Sequence, residues 1–122
     1  MSFMNKIKVY DRDDFICKCG CNVNNINSRI VNLCNELYDV TGVYIGVNSG
    51  YRCVNHSIAI GSNENSSHCK GLAVDLDIRD NRIRFQVIKA AMSLGVTRIG
   101  ISDNFCHFDF DPDKAGDIIW LY

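Results

Sequence analysis

The sequence predicts one α+β domain in which a mainly antiparallel sheet packs with two or three helices. Two stretches repeat apolar residues at helical spacing, and two others alternate apolar and polar residues strictly. The alternating pair lies in the second half of the chain, where short turns join the elements. At 122 residues the length is that of one ordinary domain. No repeat or low-complexity linker divides it, so residues 1–122 read as a single unit.

The first helix is read from Ile26, Ile30, Leu33, Cys34 and Leu37, starting near Asn25, with Gly42 just past its end. Val43-Tyr44-Ile45-Gly46-Val47 then reads as a strand that runs into the turn Asn48-Ser49-Gly50. From His56 to Ser67 the residues are small and polar, which predicts a long loop with room for one helical turn. In the next segment Leu72, Val74, Leu76 and Ile78 face one way, while Ala73, Asp75 and Asp77 face the other. Asp80 is placed to cap a helix bearing Ile83, Val87, Ile88, Ala91 and Leu94, which ends at Gly95. Thr97 to Ile101 reads as a short strand. The strand from Phe105 to Asp111 sets Cys106, Phe108 and Phe110 against His107, Asp109 and Asp111. Pro112, the only proline, suits the turn before a last strand from Asp117 to Tyr122.

Composition removes several classes of function. An apolar share of 47% against 22% charge is that of a folded globular chain, not a disordered one. A net charge of -1 offers no attraction to nucleic acid or an anionic membrane. No run approaches the roughly 20 apolar residues of a membrane span. The segment from Met1 to Lys8 lacks the apolar core of a secretory signal, which points to synthesis in a cytoplasm. Cysteines number seven, so a complete intramolecular disulfide set is impossible, and reduced thiols or metal ligation fit better.

The chemistry gathers on the polar sides of the two alternating strands. One presents Asp75 and the other His107 and Asp109, and His68 lies on a loop seven residues before Asp75. If the strands are neighbours, His68, Asp75 and His107 form a two-histidine, one-carboxylate set. Three protein ligands with an open fourth position make a catalytic zinc site. On spacing alone, the same residues also fit a solvated polar strand face.

Three successive motifs decide between these readings: Ser49-Gly50-Tyr51-Arg52, Ser66-Ser67-His68-Cys69-Lys70-Gly71-Leu72-Ala73-Val74-Asp75, and Phe105-Cys106-His107-Phe108-Asp109. In this order they resemble the signatures of zinc D-Ala-D-Ala carboxypeptidases, a family that shares its fold with the Hedgehog signalling domain. The resemblance runs from about Phe15 to Asp111. Cys17-Lys18-Cys19-Gly20-Cys21 and the loop at Gly61 resemble a small, phage-rich branch of it. It implies that His68, Asp75 and His107 bind Zn²⁺ and that Arg52 holds the substrate near the metal. A guanidinium suits that task because it is always charged and forks onto a carboxylate or an oxyanion. A surface arginine after a turn is the alternative reading of Arg52. Tyr51 and Ser67 are expected to shape the substrate pocket.

The chain departs from the family at one position. Relatives carry an acid three residues before the last histidine ligand, where this chain has Asn104, which cannot take a proton. Asp103 and Asp109 are the candidates for proton transfer, and Asp109 is also placed to orient a histidine ligand. The resemblance thus implies a zinc peptidase, a carboxypeptidase or endopeptidase, acting as a monomer on D-amino-acid-containing peptidoglycan peptides. An endolysin made in the cytoplasm and released onto the wall fits the missing signal. A metal-binding or wall-binding module of the same fold is the alternative that Asn104 allows.

Cys17, Cys19 and Cys21 are spaced more tightly than zinc ligands usually are. They read as small buried residues in a tight N-terminal turn, or, with Cys53 or Cys34, as a second, structural metal site. Cys106 is expected in the core beside Phe108, and no local signature of a cysteine protease surrounds it or Cys69.

Overall fold

A strand buried on one face and polar on the other settles when a second strand of the same pattern pairs with it in register. In the computed structural model, which describes residues 8–122, this happens between β2 (Ala73–Asp77) and β4 (Phe105–Asp109). The two run antiparallel, with Val74 opposite Phe108 and Leu76 opposite Cys106. Strands β1 (Val47–Ser49), β3 (Arg98–Ile101) and β5 (Ile118–Leu121) complete a five-stranded sheet of order β1-β2-β4-β3-β5. Only the β3–β5 pair is parallel, so the sheet is mainly antiparallel, as the sequence predicts. Most of the Met1 to Lys8 segment read for a signal lies outside the described residues.

Among the described residues three α-helices accompany the sheet: α1 (Ser28–Thr41), α2 (Val54–Ala59) and α3 (Asn81–Ser93). Asn27 caps α1 by accepting from the Arg29 N–H, and Asp80 caps α3 by accepting from the N–H groups of Arg82 and Ile83. Helices α1 and α3 pack on each other. Their apolar stripes, including Ile30, Leu33, Leu37, Val87 and Ala91, share one core with Val74, Leu76, Cys106 and Phe108. Each fully buried Leu, Ile or Phe there contributes about 1.5–3 kcal/mol relative to exposure.

Three local expectations change. Val43 to Gly46 is not strand, and pairing begins only at Val47. The reason is a competing partner: the Tyr10 hydroxyl donates to the Ile45 carbonyl at 2.6 Å and accepts from the Ile45 N–H at 2.8 Å. Those backbone groups are satisfied without a neighbouring strand. The helical turn that the expected loop His56–Ser67 had room for is longer and begins earlier, as helix α2 (Val54–Ala59), capped when the Cys53 sulfur accepts from the His56 N–H. A 3-10 helix over Arg12–Phe15, closed by a capping box between Asp11 and Asp14, was not expected.

Candidate functional site

The β2–β4 register sets Asp75 directly opposite His107, on the face of the sheet away from the core. His107 Nδ1 lies 2.9 Å from Asp75 Oδ1. His68 enters from the turn before β2, and its Nε2 lies 3.3 Å from the same oxygen. The three candidate ligand atoms all fall within 4.8 Å of one another. Pairing of two alternating strands therefore joins Asp75 and His107, and the turn before β2 adds His68.

The outer nitrogens of the two imidazoles decide what the inner ones can be. His68 Nδ1 is 2.8 Å from the Gly50 carbonyl oxygen, which only accepts, so this nitrogen carries a hydrogen. His107 Nε2 is likewise 2.6 Å from the buried Asp109 carboxylate. In their neutral forms both rings then turn a bare lone pair toward Asp75. Two lone pairs facing a carboxylate repel unless a proton or a cation lies between them. The donor set of two nitrogens and a carboxylate oxygen fits Zn²⁺, and the acceptor behind each imidazole is the arrangement that orients zinc-binding histidines.

The charges respond accordingly. Burial pushes the Asp75 carboxyl up, but His107 and His68, which donate to it and attract it by charge when protonated, together hold the group well below the ordinary carboxylate range. Burial also works against protonation of His107, yet Asp109 and Asp75 together raise its pKa. Negative charge thus concentrates where a cation would be bound.

Arg52 shares a cleft of about 330 Å³ with these residues. Its backbone N–H donates to the His68 carbonyl at 3.2 Å, which couples its position to that ligand. Its Nη2 is only 3.5 Å from Ser66 Oγ, and its Nε is buried without an acceptor. Ser67 also lines the cleft, donating to Asp111 at 2.8 Å and accepting from Lys114 at 3.1 Å.

Other expected residues lie elsewhere. Tyr51 is 8% exposed, belongs to the core cluster and does not line the cleft. Asp103 is exposed and lines a neighbouring cavity with Arg79 and Arg84, away from the histidines. Asn104 is exposed too, with its carbonyl accepting from the Ile78 N–H. Asp109 is fully buried and committed: besides His107, it meets Arg98 Nε at 2.9 Å and accepts from the Asp111 N–H at 3.0 Å. Burial raises its pKa, but hydrogen bonds from His107 and the Asp111 N–H, with the charges of His107 and Arg98, together lower it.

Trp120 is a cleft residue that the motifs do not reveal. It stands opposite Gly100 on β3, which in turn stands opposite His107 on β4. A Cβ at Gly100 would lie 2.7 Å from the Trp120 ring, so only glycine lets the indole cross β3. The ring reaches His107, with centroids 5.4 Å apart, and Tyr122 extends the same wall. The Gly50 carbonyl behind His68 is equally hidden, since a backbone acceptor leaves no side-chain signal.

Residues 8–109 match the family model described as Peptidase M15. The match covers all three helices, strands β1 to β4 and each of the candidate metal ligands. No curated protein matches the chain.

Proposed function

The chain belongs to the M15 peptidase family, whose members are zinc peptidases, and from that premise we propose that it hydrolyses D-amino-acid-containing peptides of bacterial peptidoglycan. The convergence of His68, Asp75 and His107 in one cleft with Arg52 carries this reading. The three ligands would hold the zinc. When bound, it supplies Lewis acidity that polarises a carbonyl and lowers the pKa of water to about 7.

The chain's own residues do the rest. The Gly50 carbonyl and Asp109 hold the two imidazoles in the tautomers that leave a lone pair for the metal. Arg52 binds substrate: its charge lacks a carboxylate partner among the described residues, and its buried Nε calls for an acceptor. A peptide carboxylate or a developing oxyanion supplies that acceptor. Arg98 and Lys114, also in the cleft, are already balanced by Asp109 and Asp111. A cleft near the lower size limit of small-molecule sites suits a short peptide stem, with Trp120 and Tyr122 as its aromatic wall. An endolysin, acting on the wall from the cell interior, is the setting that the sequence resemblance suggests for this activity.

One observation favours a second reading, a module that binds metal and wall peptide without turnover. Both carboxylates in the cleft are occupied: Asp75 by the histidines, Asp109 by His107 and Arg98. Incubating zinc-loaded protein with purified peptidoglycan and assaying released D-alanine and new amino termini separates the two. Turnover by the wild type, lost together with this zinc in His68→Ala, is expected. Unimpaired turnover in His68→Ala would sink the assignment, and wall binding without turnover would establish the module.

A further inference from the structure

We propose that Cys17, Cys19, Cys21 and Cys53 form a second metal site, a tetrahedral thiolate site for Zn²⁺ that pins the N-terminal loop to the segment carrying Arg52. The four sulfurs lie within 4.8 Å of one another. Two of their separations are 3.5 Å (Cys17 to Cys19) and 3.6 Å (Cys19 to Cys53). Zn–S bonds of about 2.3 Å in a tetrahedron put sulfurs about 3.8 Å apart. A disulfide would need about 2.05 Å. Four sulfurs this close surround one ion and leave no room for a cluster of several irons.

The backbone explains how so tight a C-x-C-x-C run converges. Gly20 (φ +89°) and Asn22 (φ 61°) both adopt the left-handed region, on either side of Cys21. In an extended chain the three cysteines would share a face with successive cysteines about 6.6 Å apart; these two reversals curl the loop and draw Cys19 and Cys21 in toward Cys17. Backbone N–H groups then point at sulfur: Cys53 to Cys17 at 3.3 Å, His56 to Cys53 at 3.4 Å and Val23 to Cys21 at 3.5 Å. Such donors favour the thiolate form that a metal requires.

Exposure argues against simple packing. Cys17 is buried, but Cys19 and Cys21 are exposed, so they are not the small buried residues of the turn reading. Cys34, the other cysteine considered for a second site, is buried on α1, outside the cluster. Soft thiolates without a histidine or carboxylate among them select zinc over the hard divalent ions.

The consequence reaches the cleft. Cys53 follows Arg52 directly, and the Tyr51 N–H donates to the Phe15 carbonyl at 2.8 Å, two residues before Cys17. A metal joining residues 17–21 to residue 53 fixes the stretch that presents both the Gly50 carbonyl and Arg52. This is a structural site, since all four positions are filled by protein.

The test counts zinc and identifies its ligands in protein purified under reducing conditions. Wild type should carry about two zinc ions per chain, and His68→Ala about one, held by sulfur alone at about 2.3 Å in X-ray absorption. The double variant Cys19→Ser/Cys21→Ser, which alters only exposed side chains, should also retain about one, now with nitrogen and oxygen ligands. Wild-type protein produced in zinc-poor medium supplemented with cobalt(II) should give the intense thiolate charge-transfer bands of a tetrahedral sulfur site, which reads the site without any variant. Sulfur-free zinc in the wild type, iron in place of zinc, or a disulfide among the four cysteines would each overturn the proposal. None of these readouts involves turnover, so failure of the peptidase reading leaves them unaffected.

Discussion

The two ligand clusters differ in what holds them before a metal arrives. Asp75 and His107 face each other across a ladder of hydrogen-bonded strands, and each imidazole has an acceptor behind it. The thiols of Cys17, Cys19 and Cys21 stand on irregular chain, and the donors at hand are backbone N–H groups and one another. The first is preorganised by the sheet, as chemistry demands, because a ligand misplaced by an ångström costs rate. The second needs the metal to complete its shape, as structural sites do. Arg52 lies between them, bonded through its backbone to His68 and through the chain to Cys53.

Arg52 is where that contrast is most sensitive. Arg52→Lys keeps the charge but loses the fork, and kcat/KM on wall peptides should fall by about 10²–10³ with zinc content unchanged. Cys19→Ser should move kcat/KM in the same direction by a smaller factor, because it loosens Arg52 without removing it. An unchanged kcat/KM in Cys19→Ser would separate the two clusters functionally.

Asp109→Asn probes the support behind the sheet-built centre. Loss of the carboxylate that holds His107 should weaken zinc affinity by about 10–100-fold in competition with a chelator. If Asp109 were instead the acid that moves the proton, kcat would collapse while zinc affinity stayed constant. The smallest effect belongs to Asp103→Ala, which should change kcat/KM less than about twofold, as surface substitutions do. A large loss there would mean that the turn after β3 rearranges to bring Asp103 to the histidines.

The same contrast explains what could be read in the sequence. Alternation in Leu72–Ile78 and Phe105–Asp111 exposes which residues share a face, so Asp75 and His107 were legible together before any pairing was known. Helices α1 and α3 were legible from their spacing and from the caps Gly42 and Asp80. Loops carry no such period. The convergence of Cys53 with Cys17, Cys19 and Cys21 depends on two left-handed residues, one of them an asparagine that nothing local marks out. Trp120 was hidden for another reason. Its place over His107 follows from a parallel pairing with β3, which no short turn announces. A motif does not say which of its neighbouring residues faces the cleft. Side chains at successive positions of extended chain point opposite ways, and Tyr51 took the core while Arg52 took the cleft.

Trp120 is also the only tryptophan in the chain. A protonated imidazole beside an indole quenches its emission, and a neutral imidazole held by a metal does so far less. With His107 only 5.4 Å away, the intrinsic fluorescence of the protein becomes an optical gauge of this one centre. Occupancy can then be followed in solution without a label and before any substrate is in hand, while the thiol cluster, with no indole of its own, stays dark.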